Sequence, residues 1–259
     1  MYLYLYDSFL ATPKYQKTID KIEGRLTDLG ISGRIAKLTI IKNASEIIKE
    51  SLRKDIQTVV VVGGDILLCE AATSLVNQPA TLGFIPVGPS TFGEILGIPP
   101  DEFGCEILSA RRIANLDIGK INNQYFFSSV LIKNHEVNVR CEGSYQINPL
   151  TVKNLKVVNL DFLFPQKNGE HKVSNPFDGL LEIIFSTEKK GLLSIFKKKE
   201  YQDSIFYLKK IKIDSKKEKE IPLMVDRERI LKTPAEIEVV PAAIKIIVGR
   251  DRLVQNQIL

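Results

Sequence analysis

Histidine is nearly absent: His135 and His171 are the only two in 259 residues. A histidine-based metal centre or triad has little to draw on, and both read as ordinary surface or loop residues. Cysteine is scarce as well. Cys69, Cys105 and Cys141 form no CxxC pair, which argues against a zinc site or a disulfide scaffold and for three reduced thiols in a cytosolic protein. No stretch approaches about 18 uninterrupted apolar residues, so no transmembrane helix is expected. The opening "MYLYLYDSFL" is apolar but short, without a basic leader or a cleavage site, and reads as a first strand rather than a signal peptide. Neither GxxxxGK[ST] nor GxGxxG occurs, which takes weight from the P-loop and Rossmann nucleotide folds.

What is present suits a globular chain with a sizeable core, as one large domain or two smaller ones: 44% of residues are hydrophobic and 26% charged. The formal net charge of +5 permits an anionic partner without demanding one. The first 110 residues alternate strand and helix. "YLYLYD" is followed by "KYQKTIDKIEGRLTDLG", with Ile19, Ile22, Leu26 and Leu29 at helical spacing and Gly30 as the stop. Asn43 with Glu46 resembles a capping box opening "ASEIIKESLRKD". "TVVVV" is a continuous apolar run of the kind a central parallel strand shows. Such alternation predicts a parallel α/β sheet. From about residue 113 helical patterns stop. "RIANLDIGKI" and "QYFFSSVLI" flank Asn122-Asn123, a two-residue hairpin loop, and further short strand-like runs follow. The expected fold class is α/β: an N-terminal parallel-sheet lobe followed by an antiparallel β-sandwich lobe. The expected division is 1–112, rejoined by 248–259, as a nucleotide-binding-like domain, and 113–247 as a lipid or acceptor domain, with a cleft between lobes.

Two glycine turns lie after adjacent strands. Gly63, Gly64 and Asp65 end the valine run, and Gly88, Ser90 and Thr91 follow "TLGFIPV". Backbone N–H groups and a helix dipole favour anions at such places. Taken alone, Gly-Gly-Asp reads as a tight turn with Asp65 as N-cap.

Taken together, the motifs resemble the diacylglycerol kinase catalytic family, which includes bacterial lipid kinases, sphingosine kinases and the more distant NAD kinases. "VVVVGGDILLCEAATSL" resembles its strand–GGDGT–helix element, and "TLGFIPVGPSTFGEILGIP" its second loop. "LDIGKINNQYFF" resembles the hairpin opening its β lobe, "NPFDGLLEIIFST" its DG-x-L-[DE] strand, and "IPLMVDRERILKTPAEIEVVPAAIKIIV" its closing segment. The resemblance implies transfer of the ATP γ-phosphate to a lipid hydroxyl with Mg²⁺. It implies catalytic roles for Asp65, Asp226 and Glu228, nucleotide contacts at Gly63, Gly64, Asp65, Gly88, Ser90 and Thr91, and a metal ligand at Asp178. The acidic residues suit a reaction that needs charge neutralisation and a carboxylate to take the hydroxyl proton.

Departures from the family pattern gather at the phosphate loops. Ile66 and Leu67 replace a glycine and a threonine, Pro89 deletes an N–H, Glu94 brings negative charge, and Arg227 replaces the glycine of Asp-Gly-Glu. They predict a retained fold with a remodelled or lost nucleotide site. Two alternatives therefore stay open beside the lipid kinase: an inactive family member that binds lipid, nucleotide or protein, and NAD kinase-like chemistry on a soluble acceptor. Between residues 189 and 219 stand eleven lysines against four acids. There "KKGLLSIFKKK" sets Leu192, Leu193, Ile195 and Phe196 between lysine clusters, with Lys197, Lys198 and Lys199 as candidates for an anionic membrane surface. The alternative is a solvated loop between edge strands. No nucleic-acid motif accompanies the lysines. The expected setting is cytoplasmic with peripheral membrane contact, and a homodimer stays open.

Overall fold

The structure, a computed structural model, describes residues 1–38, 43–53, 55–133, 136–141, 145–147, 152–164, 172–188, 201–216 and 220–254. The described chain separates into two units: Met1–Leu116 with the chain from Ala242 onward, and Asp117–Pro241.

In the first unit, β1 (Tyr2–Tyr6), α1 (Gln16–Asp28), β2 (Arg34–Lys37), α2 (Ala44–Leu52), β3 (Thr58–Gly63), α3 (Asp65–Ser74), β4 (Thr81–Pro86), α4 (Thr91–Leu96) and α5 (Gly104–Ala110) follow in sequence. The strands line up β2-β1-β3-β4, every neighbouring pair parallel. All six residues of β3 and of β4 are buried. Alternation assigns the two faces of the sheet. Tyr4, Tyr6, Val60 and Val62 pack with Ile19, Ile22 and Leu26 of α1 and Cys105 and Leu108 of α5. Leu3, Leu5, Val59 and Val61 point the opposite way and are equally buried. The predicted caps form. Asn43 Oδ1 accepts the Glu46 N–H at 2.9 Å, and Gly30, at φ +67°, donates to Thr27 O at 3.0 Å to close α1.

The second unit is built from β5 (Ile113–Ile121), β6 (Gln124–Phe126), β7 (Ser129–Lys133), β8 (Val137–Cys141), β9 (Tyr145–Ile147), β10 (Val152–Val158), β11 (Leu181–Glu188), β12 (Tyr201–Leu208), β13 (Lys210–Ser215), β14 (Pro222–Val225), β15 (Arg229–Lys232) and β16 (Ala235–Ile247). The first residues of β5 and the last of β16 belong to the first unit, where β16 pairs parallel to β4. One antiparallel sheet runs β12-β11-β10-β7-β14-β15, and another run joins β16, β13, β8 and β9. One apolar core takes Ile132, Leu155, Ile183 and Leu223 from the first sheet and Val139, Ile213 and Ile237 from the second, which makes a sandwich. The hairpin at Asn122-Asn123 forms, with Asn122 at φ +52° and Ile121 opposite Gln124.

The fold class is therefore α/β with a separate antiparallel lobe. Among the described residues, no helix is long and apolar enough to cross a membrane. The three cysteines are buried and form no disulfide among the described residues, and burial lifts the Cys105 thiol to about 11.

Candidate functional site

The two glycine turns of the first unit meet. The Val87 N–H donates to Gly63 O at 3.0 Å. Gly64 is the N-cap of α3, and Asp65 is its first residue. Asp65 thus stands one residue inside its helix rather than at the N-cap. Its Oδ1 accepts from the Ser90 hydroxyl, and its Oδ2 accepts the Thr91 N–H at 3.0 Å. Ser90 Oγ in turn accepts the Gly93 N–H at 2.8 Å and caps α4. One carboxylate thus ties together turns more than twenty residues apart. Gly88, at φ +80°, has no atom within 4 Å of the place a Cβ would take, so its backbone lies open. Beside it is a cavity of ≈ 560 Å³ bordered by Pro86, Gly88, Ser90, Glu94, Ile98 and Arg250, within the size range of small-molecule sites.

The bulky residues at 66 and 67 do not plug the turn. The helix already runs through both, so Ile66 needs no positive φ. Its side chain is 46% exposed, while Leu67 turns into the core. The atoms nearest the absent Cβ of Gly63 and Gly64 belong instead to Asp7 and Phe9, and the Gly64 N–H donates to Asp7 Oδ2 at 3.2 Å.

In the second unit the Asp-x-Glu pair divides. Asp226 and Arg227 take left-handed backbone, φ +50° and +66°, in the turn between β14 and β15. The Asp226 carboxylate is 5% exposed. It accepts the Phe127 N–H at 3.1 Å, the Ser128 N–H at 2.7 Å and Arg229 Nη2 at 2.9 Å. Burial pushes its pKa up, against the opposing pull of those N–H groups and the Arg229 charge. Glu228 is exposed. Arg227 is bonded to Asp161 Oδ1 at 2.7 Å, and Lys156 pairs with the other oxygen at 2.9 Å.

Asp178 lies in the loop before β11. Its Oδ1 accepts the Leu180 N–H at 3.0 Å and its Oδ2 the Asn175 side-chain amide at 3.1 Å. Two oxygens, Asn175 Oδ1 in this loop and Glu182 Oε2 on the β11 strand that follows it, are buried without a hydrogen-bond partner. Hard oxygen donors of this kind fit Mg²⁺ or Ca²⁺. Among the described residues, no three His, Cys, Asp or Glu side chains cluster as a metal site.

Burial lifts the Glu182 carboxyl from its ordinary 4.5 to about 7. The folded protein then holds a proton more tightly than the unfolded chain does. That contribution is complete below about pH 4.5 and is lost as pH rises through about 7. In EDTA, stability should fall between pH 5 and 8 by up to roughly 3 kcal/mol. Glu182→Gln should flatten that slope, and parallel pH profiles of the two proteins would contradict the assignment.

Of the residues expected from sequence, the structure brings Gly63, Gly64, Asp65, Ser90 and Thr91 together. Lys197, Lys198 and Lys199, like both histidines, lie outside the described residues. Asp7, Asp161 and Asn175 carried no motif that singles them out; each matters through a partner supplied by the fold.

Residues 2–121 match the family model described as the diacylglycerol kinase catalytic domain. A Staphylococcus haemolyticus protein named "Diacylglycerol kinase" is 33% identical over 84 residues, 31% of this chain and 26% of that protein. A Staphylococcus aureus protein named "Putative lipid kinase" is 26% identical over 256 residues, 82% of this chain and 84% of that one. A crystal structure titled as a putative diacylglycerol kinase from Bacillus anthracis superposes with a TM-score of 0.77 at 17% identity, covering 97% of this chain and 96% of the other. The likeness read from the motifs is borne out, and the solved structure bears out the two-lobe fold.

Proposed function

From a chain that matches the diacylglycerol kinase catalytic domain over residues 2–121, we propose a lipid kinase that moves the γ-phosphate of ATP to a lipid hydroxyl with Mg²⁺. The observation that carries the reading is the Asp65 carboxylate joining the two glycine turns through Ser90 and Thr91. A pair of turns held in register presents a fixed cradle for phosphate oxygens, and positioning supplies most of the catalysis in phosphoryl transfer. The open backbone at Gly88 and the cavity beside it leave room for the nucleotide.

In this reading the roles of Asp226 and Glu228 differ. Asp226 has its oxygens committed to two backbone N–H groups and Arg229, so it is a positioning residue that shapes its turn. Glu228, exposed on that turn, is the carboxylate that takes the acceptor proton. Mg²⁺ would neutralise phosphate charge. A further divalent cation at Asp178 would be held with the unpartnered oxygens of Asn175 and Glu182. The division into a nucleotide domain and an acceptor domain, and contact of Lys197–Lys199 with an anionic leaflet, belong to the same proposal.

The test is transfer of labelled phosphate from Mg-ATP to diacylglycerol and related lipids in mixed vesicles. Label in the lipid is expected, lost with Asp65→Asn and reduced about 100-fold with Glu228→Gln. No label across the panel, with no thermal shift by Mg-ATP, would overturn the reading. That outcome would favour an inactive binding module.

A further inference from the structure

The crowding at the first glycine turn comes from the chain itself. The Asp7 N–H donates to Val62 O at 3.0 Å, which extends the β1–β3 ladder one residue past Tyr6 and sets Asp7 beside Gly63. A Cβ on Gly63 would stand 2.4 Å from Asp7 Cβ and 2.9 Å from Asp7 Oδ2. Only glycine lets the two strand ends come so close. The Asp7 carboxylate, half-buried, then reaches the Gly64 N–H at the start of α3. That N–H lies at the positive end of a ten-residue helix, where a negative group is favoured. The position a phosphate oxygen would take is thus held by an oxygen of the protein.

We infer that Asp7 is an internal anion that competes with the nucleotide phosphates for the Gly63–Gly64 turn, and so sets how tightly this chain holds a polyphosphate. The inference rests on the nucleotide reading above. It places the hindrance to phosphate at this turn with Asp7 rather than with Ile66 and Leu67, which point elsewhere. A phosphate entering the turn must either displace the carboxylate or lie beside a like charge. At the second turn the Asp65 carboxylate takes the Ser90 hydroxyl and the Thr91 N–H, while Gly88 is open.

Calorimetric titration of wild type, Asp7→Asn and Asp7→Ser with Mg-ATP, magnesium-free tripolyphosphate and adenosine tests this. Asparagine keeps the volume and one acceptor oxygen while removing the charge. Both phosphate ligands should bind about tenfold tighter to the variants, while adenosine is unchanged. Equal affinities would overturn the inference and leave the nucleotide reading standing. Adenosine tightening in parallel would make the effect one of loosened structure and overturn it too. So would weaker Mg-ATP binding with tripolyphosphate unaffected, since Asp7 would then be holding the metal. If neither wild type nor variants bind any of the three, the nucleotide reading falls and this inference with it.

Discussion

Asp226→Ala is expected to lower the stability of the second unit by about 3 kcal/mol, the upper end of the cost of leaving a buried hydrogen-bond partner unsatisfied. The carboxylate is nearly inaccessible. Without it the buried N–H groups of Phe127 and Ser128 lose the acceptor the carboxylate supplies, and Arg229 loses its ion pair. An unmade buried hydrogen bond costs more than a made one contributes. Alanine is also a poor residue for φ +50°. Asp226→Asn separates these effects. It tolerates the left-handed backbone and keeps one acceptor oxygen, so the cost should fall to about 1–2 kcal/mol. Urea unfolding of both variants measures the difference. Should alanine cost no more than a surface substitution, about 0.5 kcal/mol, the inward-turned carboxylate is not what holds the turn.

Gly249→Ala should have a comparable effect in the first unit, about 3 kcal/mol by the logic of overpacking. A Cβ at 249 would lie 1.7 Å from the carbonyl oxygen of Gly97, a backbone atom that no rotamer change can move. The Gly249 N–H meanwhile donates to Leu96 O at 2.8 Å. Gly97, at φ +67°, ends α4, and a Cβ there would lie 2.6 Å from Arg252 N. The two glycines interleave and clamp the end of α4 against the chain after β16. The opposite end of α4 carries Ser90 and Thr91, the partners of Asp65. Thermal unfolding reads the stability loss. Mg-ATP titration reads the second consequence, weaker binding because the second glycine turn is no longer held in register. A variant that melts with wild type would show that the clamp yields without cost.

The elements were legible wherever the physics is local. The valine run of β3, the helical spacing of Ile19, Ile22 and Leu26, the Asn43 cap and the Asn122-Asn123 hairpin each depend on residues a few positions apart. The site was legible only as a set of turns. Asp65 as an N-cap was the natural local reading, because a short acidic side chain after two glycines has an N–H near at hand. The fold offered it Ser90 and Thr91 instead. Ile66 and Leu67 looked obstructive because their bulk is visible in sequence while the direction in which they point is not.

The amino-acid pattern by itself determined two lobes of different class and the order of their strands and helices, because hydrophobic period and turn chemistry are properties of neighbouring residues. Tertiary structure alone decided which carboxylates face inward and which N–H groups they hold: Asp7 reaches across 57 residues to Gly64, and Asp226 across 99 to Phe127. The physical reason is that a charge takes its character from its desolvation and its partners, and both are set by packing between segments that the chain keeps far apart.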